Sequence, residues 1–288
     1  MDSAASVRYQ RQRGRPIGRV ISEAMPHIIL IVLCCIAVGP FLWMITASFK
    51  GYKELVSSGR FFPEVWTLAN YQEIIDRVNF LTAFRNSVIS AASVTMVTLL
   101  TSAALGYVFA KYQFWGKEQL FLLLLGTMMV PFAIVLVPLY LVVGDMGLID
   151  SLGGIIVTGF WSTFGVFMMR QFMESIPSEL LDASRIDGAS EPRIFFTIII
   201  PMATSPMAAL AIFSFMGNWD SFLWPLVVLN SESNKTLPLV LSGLRNLYLT
   251  RYEMWAAGSM LSVVPVMTVY AFASKFFIRG LAMTGLKA

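Results

Sequence analysis

Six stretches of this chain run for 19 to 26 residues each without an Asp, Glu, Lys or Arg: 24–49, 86–110, 119–144, 151–169, 194–219 and 254–274. A helix needs about 20 residues to cross the hydrocarbon of a bilayer. Lipid offers the backbone no hydrogen-bond partners, so each stretch is predicted to be helical. The fold class is therefore all-α, a polytopic membrane protein with six transmembrane helices. Composition agrees: 13% of residues are charged and 57% hydrophobic, against about 25% charged in soluble domains. The first stretch is too long for the apolar region of a signal peptide, roughly 7–15 residues, and reads as a retained helix.

A seventh apolar stretch, 221–231, is too short to span. It reads either as a re-entrant or interfacial segment capping the fifth helix or as an apolar surface loop. Prolines at 40, 131, 138, 201, 206 and 265 fall inside the long stretches. They fit bent helices around a path that opens and closes, and equally the general tolerance of membrane helices for proline.

Charge sets the orientation. Arg8, Arg11, Arg13, Arg15, Arg19, Lys111, Lys117, Arg170, Arg185, Arg193, Lys275, Arg279 and Lys287 fall on one side of a six-span layout. The other side holds eight basic residues, most of them in a long acid-balanced loop from Lys50 to Arg85. The positive-inside rule puts both termini in the cytoplasm. The predicted organisation is a basic cytoplasmic segment at 1–27, a six-helix transmembrane domain at 28–280 and a cytoplasmic tail at 281–288. The net charge of +4 suits anionic headgroups, and no basic stripe interleaved with aromatics points to nucleic acid.

Chemistry is conspicuous by its absence. The single histidine, His27, has no Ser, Asp or metal-ligand pattern around it, and Cys34 and Cys35 are adjacent, without CxxC spacing; they read as small packing residues. There is no G-x-x-x-x-G-K-[ST] loop, so this chain is not expected to hydrolyse ATP. No charged residue sits mid-span, whereas ion-coupled carriers usually keep one there. The driving energy is therefore expected from another chain, with a stand-alone secondary carrier as the weaker alternative.

The loop 176–193 between the fourth and fifth stretches is the most informative segment. Ser178 is a predicted N-cap, Glu179 suits the helix dipole, Gly188 can end the helix, and Ser190 with Pro192 can start the next. This gives a short helix along the membrane surface. Leu180, Leu181 and Ile186 supply apolar contact, Asp182, Arg185 and Asp187 supply polar contact, and Ala183 and Ser184 form a small-residue saddle. Such a helix suits a groove on a partner or rests on headgroups; the residues alone do not choose.

Asp182-Ala183-Ser184, Gly188 and Ile198 to Pro201 resemble the EAA loop of binding-protein-dependent ABC importer permeases: E-A-A, three residues, G, nine residues, I-x-L-P. Asp for Glu, Ser for Ala and Ile for Leu are mild departures. Met129-Val130-Pro131 with Gly147-Leu148-Ile149-Asp150, the stretch from Trp219 to Leu226, and Phe276 to Leu281 are similar to other parts of that family. The likeness runs from about residue 28 to the end. It is nearest to the smaller, six-span permease of maltose-type sugar importers.

The resemblance implies a type I importer architecture in which Leu180 through Gly188 couple to a cytoplasmic ATPase. It implies a second permease subunit, two ATPase copies that bind ATP and Mg²⁺, an extracytoplasmic solute-binding protein, and no cofactor in this chain. Trp219, Phe222 and Trp224 are candidates for the translocation path, although tryptophans there also pack helices or sit at interfaces. The implied cargo is a sugar or oligosaccharide, with a polyol, glycerol-phosphate, amino acid or peptide as the alternatives.

Overall fold

In the computed structural model, residues 17–77, 79–244 and 251–284 are described. Arg8, Arg11, Arg13, Arg15 and Lys287, used above for orientation, and Arg245, one of the eight basic residues counted on the other side, lie outside the described residues. Every regular element among those described is helical.

Helix α1 (Ile17–Ser48) leads into a long loop carrying α2 (Tyr52–Ser57) and α3 (Ala69–Arg77). Next come α4 (Phe80–Lys111), α5 (Lys117–Thr127), α6 (Phe132–Asp145), α7 (Leu152–Thr158) and α8 (Thr163–Glu174). They are followed by α9 (Ser178–Ile186), α10 (Glu191–Met202), α11 (Thr204–Trp219), α12 (Leu223–Val228), α13 (Leu237–Gly243) and α14 (Tyr252–Thr284). Helix α1 begins inside the segment expected to end at 27, and α14 runs past the expected boundary at 280.

Among the described residues, three helices are long and apolar enough to cross a membrane: α1, α4 and α14. The other three apolar stretches, expected as single helices, are bent pairs: α5–α6 by 100°, α7–α8 by 42° and α10–α11 by 79°. Each break has a local cause. Pro131 is extended (φ −60°, ψ 134°) and has no N–H, so α5 ends in tight turns before it. Between α7 and α8, Ser162 accepts a hydrogen bond from Gly165 N at 3.0 Å and starts α8 afresh. The carbonyls freed there are satisfied from α4: Thr98 donates to Gly159 O and Thr101 to Phe160 O, both at 2.9 Å. In α10 the chain widens into a π-type turn at Phe195–Ile199 just before Pro201, and the axis turns at Ala203. Pro40, Pro138 and Pro265 lie inside helices that continue through them.

Helix α4 is the central post. It packs along α8 and α11, while α11 and α1 pack on α14. At Gly106 the α4 backbone comes so close to α8 that a Cβ would lie 2.6 Å from Met169 Cβ and 2.9 Å from Arg170 N. Only glycine fits that approach without a shift. Helix α1 shows its apolar side chains outward, Ile36 at 67% exposure among them. Cys34 and Cys35 are exposed on it too, not packed within the chain as expected, because α1 meets the bundle along α14 and, at its Ser48 end, α3, and leaves the rest of its surface open. So large an apolar surface belongs in lipid or against a partner. Segment 221–231 forms the short helix α12, with Trp224 buried and its Nε1 donating to Gly154 O at 3.2 Å. It therefore packs on α7 instead of lying loose on the surface.

Candidate functional site

Helix α9 is the element on which the candidate residues converge. Pro177, not Ser178, occupies its N-cap position; Ser178 is the first helical residue, and no side chain caps this end. The fixed φ of proline (−59°) and its missing N–H suit the entry to a helix. Glu179 sits in the first turn and Arg185 in the last, each at the end of the dipole that favours its sign. The far end closes as a Schellman turn. Ala189 N donates to Ser184 O and Gly188 N to Arg185 O, each at 3.0 Å, with Gly188 at φ +79°. Ser190 starts α10 by position but makes no side-chain capping bond.

The two faces of α9 differ sharply. Leu181 is 1% exposed and packs into a cluster with Met169, Met173, Ile176 and Ile194. Leu180 is 44% and Ile186 87% exposed, with Ala183 exposed on the same side. Asp182, Asp187 and Gly188 are also exposed, and Ser184 is half-buried with its Oγ bonded to Leu180 O at 2.8 Å. One leucine thus anchors the helix and leaves a small apolar face free.

Polar contacts fasten both ends of α9 to α4. Lys111 Nζ donates to Ile176 O. Arg185 binds Asp182 Oδ1 at 2.7 Å and, through Nε, Glu191 Oε1 at 2.7 Å. Glu191 Oε2 accepts from Tyr107 Oη at 3.2 Å and from the Tyr112 hydroxyl. The Glu191 carboxylate, and then Asp182, raise the Arg185 pKa further above its ordinary value. Burial first, and then the bond to Glu191, raise that of Tyr112. Sequence reasoning missed Glu191, Tyr107, Tyr112 and Lys111, because nothing local links them. Beside them, Arg170 is buried against Glu118 (2.9 Å), Glu174 (2.8 Å) and the Phe121 ring (3.9 Å), which ties α5 to α8.

The path candidates separate. Trp219 is 1% exposed, stacked on Phe215 and edge-on to Phe84, with Nε1 donating to Ser262 Oγ at 3.3 Å. It is a packing residue between α4, α11 and α14. Phe222 and Trp224 line a cleft of about 370 Å³ with Phe132, Leu139, Thr158 and Asn218. A second cleft, about 240 Å³, shares Gly159 and Asn218 with it and reaches Thr98, Trp161 and Ser214. Both open at the break between α7 and α8.

The end of the bundle opposite α9 is also clamped. Asp150 (φ 55°) takes hydrogen bonds from Asn230 N and Ser231 N, each at 2.9 Å, and from Ser231 Oγ. Asn86 on α4 donates to Ser233 O at 2.8 Å and Lys235 O at 3.1 Å, and Ser87 Oγ accepts from Leu237 N at 2.8 Å.

Residues 102–282 match the family model for the inner membrane component of binding-protein-dependent transport systems. The chain belongs to this family. It is an inner-membrane permease with transmembrane helices, a non-catalytic ABC importer subunit whose ATP hydrolysis takes place on a separate chain. The arabinooligosaccharides transport system permease protein AraQ of Halalkalibacterium halodurans is 38% identical over 88% of this chain and 92% of its own. The lactose transport system permease protein LacG of Rhizobium radiobacter is 31% identical over 92% and 97%. The diacetylchitobiose uptake system permease protein NgcG of Streptomyces coelicolor is 34% identical over 86% and 83%. In structure, the chain superposes with a TM-score of 0.82 on a chain from a bacterial ABC transporter involved in importing the acidic polysaccharide alginate. That match is 20% identical and covers 92% of this chain and all of the other. The likeness supports the all-α type I importer permease fold.

Proposed function

We propose that this permease carries a sugar or oligosaccharide inward as one of two permease subunits, with α9 seated on a separate cytoplasmic ATPase. The observation that carries the docking role is the build of α9: one leucine buried as an anchor, and an apolar, small-residue face left open. A helix of that kind is suited to a groove. Relatives named for arabinooligosaccharides, lactose and diacetylchitobiose support the cargo class.

The full assembly in this reading has a second permease, two ATPase copies holding ATP and Mg²⁺, and an extracytoplasmic binding protein. Each bent helix pair is one crossing, giving six, with both termini and the 176–193 loop in the cytoplasm. Lys111, Lys117, Arg170, Arg185 and Arg193 gather at the α9 end, as the positive-inside rule asks. Phe222 and Trp224, with Asn218, face the solute path, and Trp219 supports that wall from behind.

The test is a cysteine at Ala183 in the otherwise complete assembly. A short cross-linker should capture the ATPase subunit, and the reconstituted complex should hydrolyse ATP faster with an oligosaccharide-loaded binding protein. Capture of lipid alone refutes the docking role. Stimulation by a non-sugar solute only refutes the cargo class.

A further inference from the structure

Helix α4 is a single 32-residue helix with no proline, roughly 48 Å long at about 1.5 Å per residue. Its two ends are tied to loops at opposite ends of the bundle. Near one end, Asn86 and Ser87 hold the backbone of 233–237. Near the other, Lys111 holds Ile176 at the start of α9, and Tyr107 with Tyr112 hold Glu191, which in turn holds Arg185 at the end of α9.

A nine-residue helix fastened at one point can swivel; fastened at both ends it must move with its support. Leu181 and the Lys111 bond fix the first half of α9. Beyond them the second half has the Schellman turn at Gly188, which is local to the chain, and the Glu191 bridge, which reaches α4. Both carboxylate oxygens of Glu191 are engaged: Oε1 takes the Arg185 Nε at 2.7 Å, and Oε2 takes the tyrosine hydroxyls and, at 3.4 Å, the Arg185 Nη2. A shorter or neutral side chain cannot satisfy both sides equally, since charge-assisted bonds are roughly twice as strong as neutral ones.

We propose that Glu191 is the positioning residue that joins the docking helix α9 to α4, so that both move as one body and displacement reaches the 231–237 loop. This rests on the docking role proposed for α9. Rigid elements with two arrangements carry such displacement. The test must therefore read coupling.

The measurement is ATP hydrolysed per solute transported by the full complex in liposomes, with cross-linking from Ala183→Cys run in parallel. In Glu191→Gln the cross-link to the ATPase should persist while the ratio rises several-fold. Glu191→Asp, which keeps the carboxylate but shortens its reach, should raise the ratio by less than Glu191→Gln does. Tyr112→Phe should raise the ratio by a smaller factor. At the far joint, Asn86→Ala should weaken the acceleration of ATPase by the binding protein. An unchanged ratio in Glu191→Gln with the cross-link intact overturns the inference and leaves the docking role standing. Absence of the cross-link in the Ala183→Cys complex with Glu191 intact overturns the docking role itself. If Glu191→Gln does not assemble, Tyr112→Phe decides: an unchanged ratio overturns the proposal.

Discussion

Leu180 and Leu181 are neighbours in sequence and should behave oppositely when cut to alanine. Leu181 is 1% exposed and is the only buried side chain on α9. Removing its branch leaves a gap among Met169, Met173, Ile176 and Ile194, and such changes cost about 2–5 kcal/mol. A helix of nine residues does not hold itself together in water. The loss should therefore appear first as local opening of α9, before the bundle unfolds. At about 1.4 kcal/mol per tenfold, that is roughly a thirty-fold to several-thousand-fold gain in amide exchange over 178–186, limited by global opening. Leu180 is 44% exposed, and a substitution there should shift stability by no more than about 0.5 kcal/mol. Exchange in Leu180→Ala should match wild type, while ATPase recovery with the purified permease falls. Hydrogen exchange with mass spectrometry, paired with co-purification, reads both. Wild-type exchange over 178–186 in Leu181→Ala, or equal opening in both variants, would refute the assignment of the two faces.

Gly188→Val should cost roughly 1–2 kcal/mol from the left-handed backbone alone, because no atom within 4 Å would meet its Cβ; normal uptake per ATP in that variant contradicts the role of the turn. Gly106→Ala should destabilise by about 1–3 kcal/mol through the α4–α8 contact, read as a lower unfolding midpoint in detergent; an unmoved midpoint contradicts the packing. The Asp150 carboxyl is held down to about 2, mainly by Ser231 Oγ and the amides of Ser231 and Asn230. Its folded-state pKa is lowered, so the clamp contributes fully above the ordinary value of 3.8 and is lost as pH falls through about 2. Protection of Asn230 and Ser231, corrected for intrinsic exchange, should be equal at pH 7 and pH 5 and should drop in Asp150→Asn at either pH.

What was legible in the sequence was whatever depends on local rules. Charge-free stretches located all six apolar elements, because lipid forbids both charge and unpaired backbone. Gly188 was legible because the left-handed conformation it adopts selects glycine by itself. The breaks were not. Pro131 and Pro201 lie at bends, yet Pro40, Pro138 and Pro265 lie in continuous helices, and the α7–α8 break has no proline at all. That break exists because Thr98 and Thr101, about 60 residues away, supply donors for its carbonyls. The choice between Leu180 and Leu181 was equally hidden, since the two share one composition and have two environments.

Glu191 makes the same point in its sharpest form. By local rules it is an acid in the first turn of a helix, stabilised by the dipole and otherwise unremarked. Its three partners sit 6, 79 and 84 residues away, and two of them are tyrosines that alone read as membrane-interface aromatics. A carboxylate that meets an arginine through both oxygens and takes two hydroxyls on one of them has fixed geometry on both sides. That fixity is what a transmitted movement requires: where α9 is held only through its own backbone, force applied to it would be spent on the Gly188 turn, and where it is held through Glu191, the same force arrives at α4.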